Sequence, residues 1–547
     1  MNKLGTKINT KNRYRKIFSL KWFAQIAAII GLVSLVLLSC DNTHGDLNED
    51  SDATAPTAGD SGTISVSNVT TTTVDLSWQK ASDNITAEAD LQYKVVYSES
   101  NNVDTVSDAE TNGTVVKDWT ADINSTTVTN LKTSTTYYFN VIVRDAAGNK
   151  AAYATTSGDK TKTDYTSLYA DLNAGLTGVE EGSSSFADVD GDGDQDVLVT
   201  GSTGFDPQTG PITETTLYIN EGNGSFTGAN AGLENVYDSS SEFADVDGDG
   251  DQDLVVMGEK ADSSDTAVLY LNDGSGSFSS AGAGLTGRST GSVSFADVNG
   301  NGAPDLLITG SYATDLYVND GNGNYTAEAT PVDSDSDGTG DTYLPKVTFS
   351  SSDFADVDGD GDQELVVTGY DGIDALAAVS KLYINDGNAV FSEASTSLDA
   401  VDYGSSTFGD VDGDVDMDLL LTGNDNSKIA VLYINNGSGS FTKDSQSSNG
   451  SSPVFTGVYF SSSNCVDIDA DGDKDILVTG RDASSNYLAT LYINGGNGDF
   501  STANAGLEGV YNGSSDFGDL EGDGDQDLIV TGSSPSSIAK IYENTLY

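Results

Sequence analysis

An all-β chain, a seven-bladed β-propeller preceded by a smaller β-sandwich, is the fold that three observations predict from the sequence. A unit of 52 to 59 residues recurs seven times in the C-terminal two thirds, with Asp188, Asp245, Asp297, Asp356, Asp410, Asp467 and Asp519 at equivalent positions. Each unit holds four short segments of strand character, and four-stranded units repeated in series make a propeller. The composition agrees: 61 glycines against 8 prolines and 3 methionines suit many short strands joined by tight turns, with few long helices.

At 547 residues the chain has room for several domains. Its 85 acidic and 24 basic residues give a formal charge of −61, a field that repels phosphate backbones and argues against nucleic acid as a partner. Two cysteines provide no disulfide framework, so stability has to come from packing and from metal.

The N-terminus reads as an address. Lys3, Lys7, Lys11, Arg13, Arg15, Lys16 and Lys21, with no acidic residue among them, precede an almost unbroken apolar run from Phe23 to Leu38, the pattern of an export signal. The run ends in Leu37-Leu38-Ser39-Cys40, which resembles the lipobox of bacterial lipoproteins. That resemblance implies loss of residues 1–39 and a lipid on Cys40, anchoring the remainder to the cell envelope, with the outer membrane surface as the expected location. An uncleaved membrane anchor is the alternative. In either case the remainder faces away from the cytoplasm. Residues 40–57, with Asp41, Asp46, Glu49, Asp50 and Asp52 among small polar residues, form an acidic tether that also carries His44, the only histidine.

Between 58 and 163 the alternation in Val74–Trp78, Tyr93–Tyr97 and Tyr137–Val143 predicts about seven short strands and a sandwich. Trp78, the series Leu131, Thr133, Thr135 and Tyr137, and the run Arg144-Asp145-Ala146-Ala147-Gly148-Asn149 resemble a fibronectin type III domain. The resemblance implies a spacer.

From 165 to 547 each repeat reads approximately Ser-Ser-Phe-Ala-Asp-Val-Asp-Gly-Asp-Gly-Asp-Gln-Asp-Leu-Val-Val-Thr-Gly, then a variable loop, then Leu-Tyr-Ile-Asn, a glycine turn and Ser-Phe. A solenoid and a ring both fit such a series, but the ends favour a ring. The seventh repeat stops at Ile541-Tyr542-Glu543-Asn544 and lacks its last strand, whereas Leu168-Tyr169 stands before the first repeat like an orphaned copy of it. A strand from the start can therefore complete the last blade.

Acidic residues at positions 1, 3, 5 and 9 of a glycine-containing turn can converge on one hard cation, and Ca²⁺ accepts six to eight oxygens at flexible geometry. The candidate ligands are Asp188, Asp190, Asp192 and Asp196; Asp245, Asp247, Asp249 and Asp253; Asp297, Asn299, Asn301 and Asp305; Asp356, Asp358, Asp360 and Glu364; Asp410, Asp412, Asp414 and Asp418; Asp467, Asp469, Asp471 and Asp475; and Asp519, Glu521, Asp523 and Asp527. An eighth match, Asp333, Asp335, Asp337 and Asp341, lies in an insertion without recognisable flanking strands. About seven, or eight, calcium ions are expected. The third loop carries less charge, so weaker affinity is expected there. The fifth has Val415 where the others have glycine, so a strained turn is expected.

This region resembles the FG-GAP and VCBS repeats of integrin α-subunit propellers and their bacterial relatives. Phe408-Gly409 and Phe517-Gly518 keep the first dipeptide of the name, while Thr-Gly stands at the second motif in most units. The resemblance implies a calcium-stabilised propeller.

The calcium loop keeps one length in every unit, whereas the loops joining the second strand to the third vary, the longest spanning Ser202 to Thr215. Recognition is therefore expected on the face opposite the calcium loops. Six residues before each motif phenylalanine stand Glu180, Tyr237, Ser289, Thr348, Asp402, Tyr459 and Tyr511, Cys465 replacing the phenylalanine in the sixth unit. Tyr237, Tyr459 and Tyr511, with Arg288 nearby, are the candidate ligand-binding residues, on the expectation that they ring the mouth. The function expected is non-enzymatic adhesion to, or binding of, an extracellular protein or glycan. A polysaccharide lyase or other carbohydrate-active enzyme on the propeller scaffold, using a pair such as Tyr459 and Arg481, and a passive envelope component, are the alternatives.

Overall fold

The computed structural model describes residues 52–546 apart from 157, 223, 329–330, 333–341, 374, 426, 445–453 and 497, and the side chains of 331–332 and 342–343. The signal segment, Cys40, most of the tether and the eighth loop, Asp333 to Asp341, thus lie outside the described residues. The chain is nearly all β and divides into two compact units after Thr163. Among the described residues no helix is long and apolar enough to cross a membrane.

The first unit is a two-sheet sandwich. Ile64–Ser67, Val74–Trp78 and Ser125–Val128 form one sheet, while Thr114–Ala121, Gln92–Ser98, Thr136–Arg144 and Lys150–Ala152 form the other, with Asp159–Lys160 pairing to the long Thr136–Arg144 strand. Alternation explains the burial: Val74, Leu76 and Trp78 from the first sheet meet Tyr93, Val95, Tyr137, Phe139, Val141 and Val143 from the second in one core. The Tyr137 hydroxyl accepts a hydrogen bond from Lys132 N–H (2.9 Å), fixing the corner that leads into its strand.

The second unit contains seven four-stranded antiparallel sheets, one per repeat. In the first, Ser184–Ala187, Asp196–Asp206, Gly210–Asn220 and Phe226–Ala229 pair in order. The acidic loop joins the first two strands, and the second strand starts at loop position 9 in all seven repeats. That strand is apolar on both faces, as in Leu254-Val255-Val256 and Leu528-Ile529-Val530, because a sheet packs on each side of it. Thus Leu198 and Leu217 of the first sheet pack with Val236, Leu254 and Tyr270 of the second, and Val197 and Val199 pack with Ile529 and Ile541 of the seventh. The fifth and sixth sheets are also joined by one bridge, Ile429 to Val458.

The seventh sheet is completed from the start of the unit. Tyr169–Asp171 pairs with Ser536–Asn544 in the register Tyr542–Asp171, Glu543–Ala170 and Asn544–Tyr169. Phe186 N–H of the first sheet donates to Asp516 Oδ2 of the seventh (2.9 Å).

Two sequence expectations change. The long Ser202–Thr215 connection is a continuation of the second and third strands, which stay paired out to Asp206 and Gly210, the register slipping once between Ser202 and Gly204. The eighth loop does have flanking strands: Pro331–Val332 pairs with Thr342–Tyr343. Each has only two residues, too few for the alternation that identifies a strand in sequence.

Candidate metal centres and ligand cavity

In the first loop Asp188 caps the turn, its Oδ1 accepting from Gly191 N–H (2.8 Å) and its Oδ2 from Gly193 N–H (3.1 Å). Gly193 can present that amide because it sits at φ +99°. Asp192 Oδ1 accepts from Asp194 N–H (3.0 Å). Oxygens of Asp188, Asp190 and Asp196 then lie within 4.8 Å of one another, and the same holds for Asp245, Asp247 and Asp249, for Asp356, Asp358 and Asp360, and for Asp410, Asp412 and Asp418. Asp190 Oδ1 and Asp358 Oδ1, both at position 3, are shielded from solvent and have no hydrogen-bond partner. Crowded anionic oxygens cut off from water and donors are what a hard cation would satisfy, so the donor set fits Ca²⁺.

Position 9 does more than the sequence suggested. Asp196 Oδ2 accepts from Val189 N–H (3.0 Å) and its Oδ1 from Asn220 N–H (2.8 Å), stapling the loop to the end of the third strand. The same pair of bonds recurs at Asp253, Asp305, Glu364, Asp418, Asp475 and Asp527. Burial, outweighing these bonds, pushes the carboxyl up to about 6 at Asp196 and about 7 at Asp475, with neighbouring carboxylates adding to the rise. Each oxygen keeps a lone pair for a metal.

The asparagine that ends the third strand is a functional residue that sequence reasoning missed. Asn272 Nδ2 donates to Val189 O, Asn319 to Val246 O, Asn385 to Val298 O, Asn435 to Val357 O, Asn494 to Val411 O and Asn544 to Ile468 O, at 2.7 to 3.1 Å. Asn220 completes the series by donating to Leu520 O of the seventh repeat (2.9 Å). Each of the seven acidic repeat loops is thereby clamped to the next sheet. The signal was its presence at the end of all seven third strands, after Leu-Tyr in six and Ile-Tyr in the seventh; its partner, 73 to 87 residues away in six repeats and 300 in the first, was not readable.

A cavity of about 400 Å³ opens where the seven repeats bring together Glu181, Asp238, Thr290, Phe349, Tyr403, Phe460 and Asn512. All seven have φ between +45° and +57°. Their backbones are linked by hydrogen bonds that run through every repeat: Glu181 N–H to Asn512 O (2.7 Å), Asn512 to Phe460 O (3.0 Å), Phe460 to Tyr403 O (2.6 Å), Tyr403 to Phe349 O (3.1 Å) and Thr290 to Asp238 O (2.9 Å), with Ser350 and Ser239 N–H reaching Thr290 O and Glu181 O (3.4 Å each). These bonds fix the left-handed backbone in bulky residues. One side of the cavity is aromatic, Tyr403 stacking on Phe349 (centroids 4.0 Å) and meeting Phe460 edge-on (4.7 Å). The other is acidic: burial pushes Asp238 up to about 7, and it raises Glu181 as well, the nearby carboxylates adding to both.

A family profile described as FG-GAP-like repeat matches residues 188–256, 245–308, 297–367, 356–421 and 467–530, more than half of the chain. The chain belongs to the FG-GAP-like repeat family. A fibronectin type III profile matches residues 55–158, so the first unit is a domain of that type. No curated protein matches the chain. Among solved structures it is similar to an Agrocybe aegerita lectin that recognises non-reducing terminal N-acetylglucosamine, at 20% identity and TM-score 0.42 over 66% of this chain and 86% of that one. It is also similar to the Vibrio cholerae biofilm matrix protein Bap1, at 13% identity and TM-score 0.31 over 68% and 88% of the two chains. Likenesses this low do not bear on function.

The FG-GAP repeats differ in ways that matter. In the third, amides stand where the others have acids: Asn299 Nδ2 donates to Asp305 Oδ2 (2.9 Å) and Asn301 Nδ2 to Asn319 O (2.9 Å), so this loop satisfies itself in part without a cation. In the fifth, Val415 takes φ +80° and is 82% exposed, the strain expected from its sequence. Val415→Gly is therefore expected to raise stability by about 1 kcal/mol, the left-handed penalty outweighing the entropy of glycine; a denaturant midpoint that stays or falls counts against it.

The candidate tyrosines do not line the cavity. Tyr237 O–H donates to Glu259 (2.5 Å), Arg288 makes a two-nitrogen pair with Asp315 (2.9 and 2.7 Å), and Tyr511 stacks on Tyr487 (4.8 Å). Tyr459 lies under Lys428 Nζ, 3.4 Å from the ring centroid, with Arg481 Nη1 3.4 Å from its hydroxyl. The residue after each of these tyrosines, Asp238, Phe460 or Asn512, lines the cavity instead. The cause is an irregularity in the first strand, whose register shifts between Tyr237 and Ser240, Thr348 and Ser351, and Tyr459 and Ser462.

Deeper among the first strands, Glu242 Oε2 accepts from Phe295 N–H (3.2 Å) and Asp353 Oδ2 from Phe408 N–H (2.9 Å), as Asp516 does from Phe186. Burial raises Glu242 to about 8, with the Asp353 charge adding to it. The native state therefore holds an extra proton between about pH 4.5 and pH 8, and this group's contribution to stability falls as pH rises through that window. Because the carboxyl still borders a cavity, the cost is moderate. Glu242→Gln, which keeps the acceptor, is expected to stabilise the protein by ~1–3 kcal/mol at pH 8 and not at pH 4. Equal midpoints for the two proteins at pH 8 would refute this.

Proposed function

We propose that this protein is a non-enzymatic, calcium-stabilised adhesion or ligand-binding lipoprotein of the bacterial cell envelope, its seven sheets forming the blades of one closed propeller. Closure is supported by the returning Tyr169–Asp171 strand, the backbone bonds around the cavity and the seven-membered asparagine series. Calcium binding is supported by the convergent, partnerless oxygens of the loops. The export signal, Cys40 and the acidic tether support display on the envelope, with the sandwich as a spacer.

One observation carries the binding role. At the cavity the backbone is repeated seven times while the side chains are not: Glu181, Asp238, Thr290, Phe349, Tyr403, Phe460 and Asn512 put aromatic faces opposite carboxylates on a rigid frame. Aromatic faces with convergent polar groups suit a glycan or a protein side chain. The test is a glycan and matrix-protein array probed in calcium and then in chelator. Saturable binding that disappears in chelator and weakens at least tenfold in Phe460→Ala is expected; an array without calcium-dependent binding would sink the proposal.

The Tyr459–Arg481 contact beneath Lys428 supports a second reading, a polysaccharide lyase, since a tyrosine flanked by cations can take a proton. Unsaturated products from a polysaccharide panel would establish it.

A further inference from the structure

The sandwich brings together three carboxylates that belong to no repeat. Asp52 lies where the chain enters the unit, Asp83 follows the Val74–Trp78 strand, and Asp145 follows the Thr136–Arg144 strand. One oxygen from each lies within 4.8 Å of the others. The three segments are fixed independently of that meeting. Thr57 and Ser82 exchange two backbone bonds (2.8 and 2.9 Å), and Asn149 Nδ2 reaches both Asp52 O (2.9 Å) and Asp145 Oδ2 (2.7 Å).

A second observation concerns individual atoms. Asp83 spends Oδ2 on Ile85 and Thr86 N–H (2.9 and 2.7 Å), and Asp52 spends Oδ1 on Thr54 N–H (3.1 Å). The other oxygen of each, Asp83 Oδ1 and Asp52 Oδ2, is sealed from solvent and has no hydrogen-bond partner. Asp145, 4% exposed, is held in place by Gly148 and Asn149 N–H on Oδ1 (2.6 and 2.8 Å). No basic side chain compensates them: among the described residues Lys80 pairs with Asp122, Lys150 with Glu110, and Arg144 bonds Gln92 and stacks on Trp119. A sealed anionic oxygen with neither water nor donor is costly unless a cation completes it.

We infer that Asp52, Asp83 and Asp145 form a divalent-cation site, with Ca²⁺ the fitting ion, that ties the entering chain to two loops at one end of the sandwich. Three carboxylates on separate segments, with further coordination left to carbonyls and water, match the oxygen-rich, adaptable shell of Ca²⁺ better than the strict octahedron of Mg²⁺. The site is independent of the propeller loops. It would stiffen the point where the tether joins the folded chain.

Tryptophan provides a selective reporter. Trp78 and Trp119 lie in the sandwich, and the third tryptophan, Trp22, precedes Cys40. In a chain from Asp41 to Tyr547 both tryptophans thus belong to the sandwich, and terbium emission excited through them reads ions bound beside that unit's own residues. A saturable terbium signal displaced by Ca²⁺ is expected, with affinity reduced at least tenfold in both Asp52→Asn and Asp83→Asn. Asparagine keeps an acceptor for the local N–H groups, and an unchanged tryptophan emission spectrum would show that each variant folds. Absence of the signal from the unsubstituted chain, or a signal that neither substitution weakens, would overturn the assignment.

Discussion

Deleting residues 165–176 is expected to abolish cooperative folding of the second unit. Tyr169–Asp171 is the fourth strand of the seventh sheet, and without it Ser536–Asn544 becomes an open edge. The deletion also removes Leu168 and Tyr169, 2% and 4% exposed, from a core shared with Leu477, Leu491, Leu528, Val530 and Tyr542. Truncating such side chains costs about 2–5 kcal/mol each, so the pair approaches the ~5–15 kcal/mol that holds a typical domain together. The point substitutions Leu168→Ala and Tyr169→Ala should each lower the denaturant midpoint without abolishing the transition. A truncated chain that unfolds in one sharp step at the original midpoint would mean that the first and seventh sheets do not depend on each other.

Chelation should have the next largest effect. An ion that binds only the folded state adds about 2.7 kcal/mol per site at a hundredfold excess over Kd. For a unit of this size that is roughly 3 °C in Tm per site, and about 20 °C for seven. Release should not be uniform. The third loop, with Asn299 and Asn301 already bonded to protein acceptors, should be the weakest. Asn299→Asp supplies the negative charge that this loop lacks. The substitution should tighten calcium binding there while lowering stability in chelator, because the new carboxylate loses the amide's bond to Asp305 and faces its charge. Differential scanning calorimetry in calcium and in EGTA measures both effects.

Much of the fold was legible because it is written seven times. The period, the four strands and the displaced Leu168-Tyr169 copy predicted the sheets, and even the order in which the last is completed. The sandwich showed itself through Trp78 and Tyr137, whose burial and hydroxyl bond are local consequences of its strands. The cavity was missed by one residue for a physical reason. Counting in twos along a strand assumes regular pairing, and Asp238, Phe349 and Phe460 each follow the candidate position at a point where φ turns positive and the register slips. In these three repeats serine follows and no glycine marks the slip; Gly182, Gly291, Gly404 and Gly513, which follow the lining residue in the other four, were the signal that could have found it. The asparagine clamp was visible as a recurring letter but not as a bond between repeats. The Asp52, Asp83 and Asp145 cluster was invisible for a further reason: its members come from three segments and share no spacing, so only the folded sandwich brings them together.

If the acid-lined turns of the seven sheets are calcium ligands, a count of bound ions shows it most directly. Equilibrium dialysis of the chain from Asp41 to Tyr547 against millimolar Ca²⁺, followed by elemental analysis, should find at least six ions per chain, with the count falling by one in Asp190→Ala. A dialysed, folded protein that retains essentially no calcium would contradict the account.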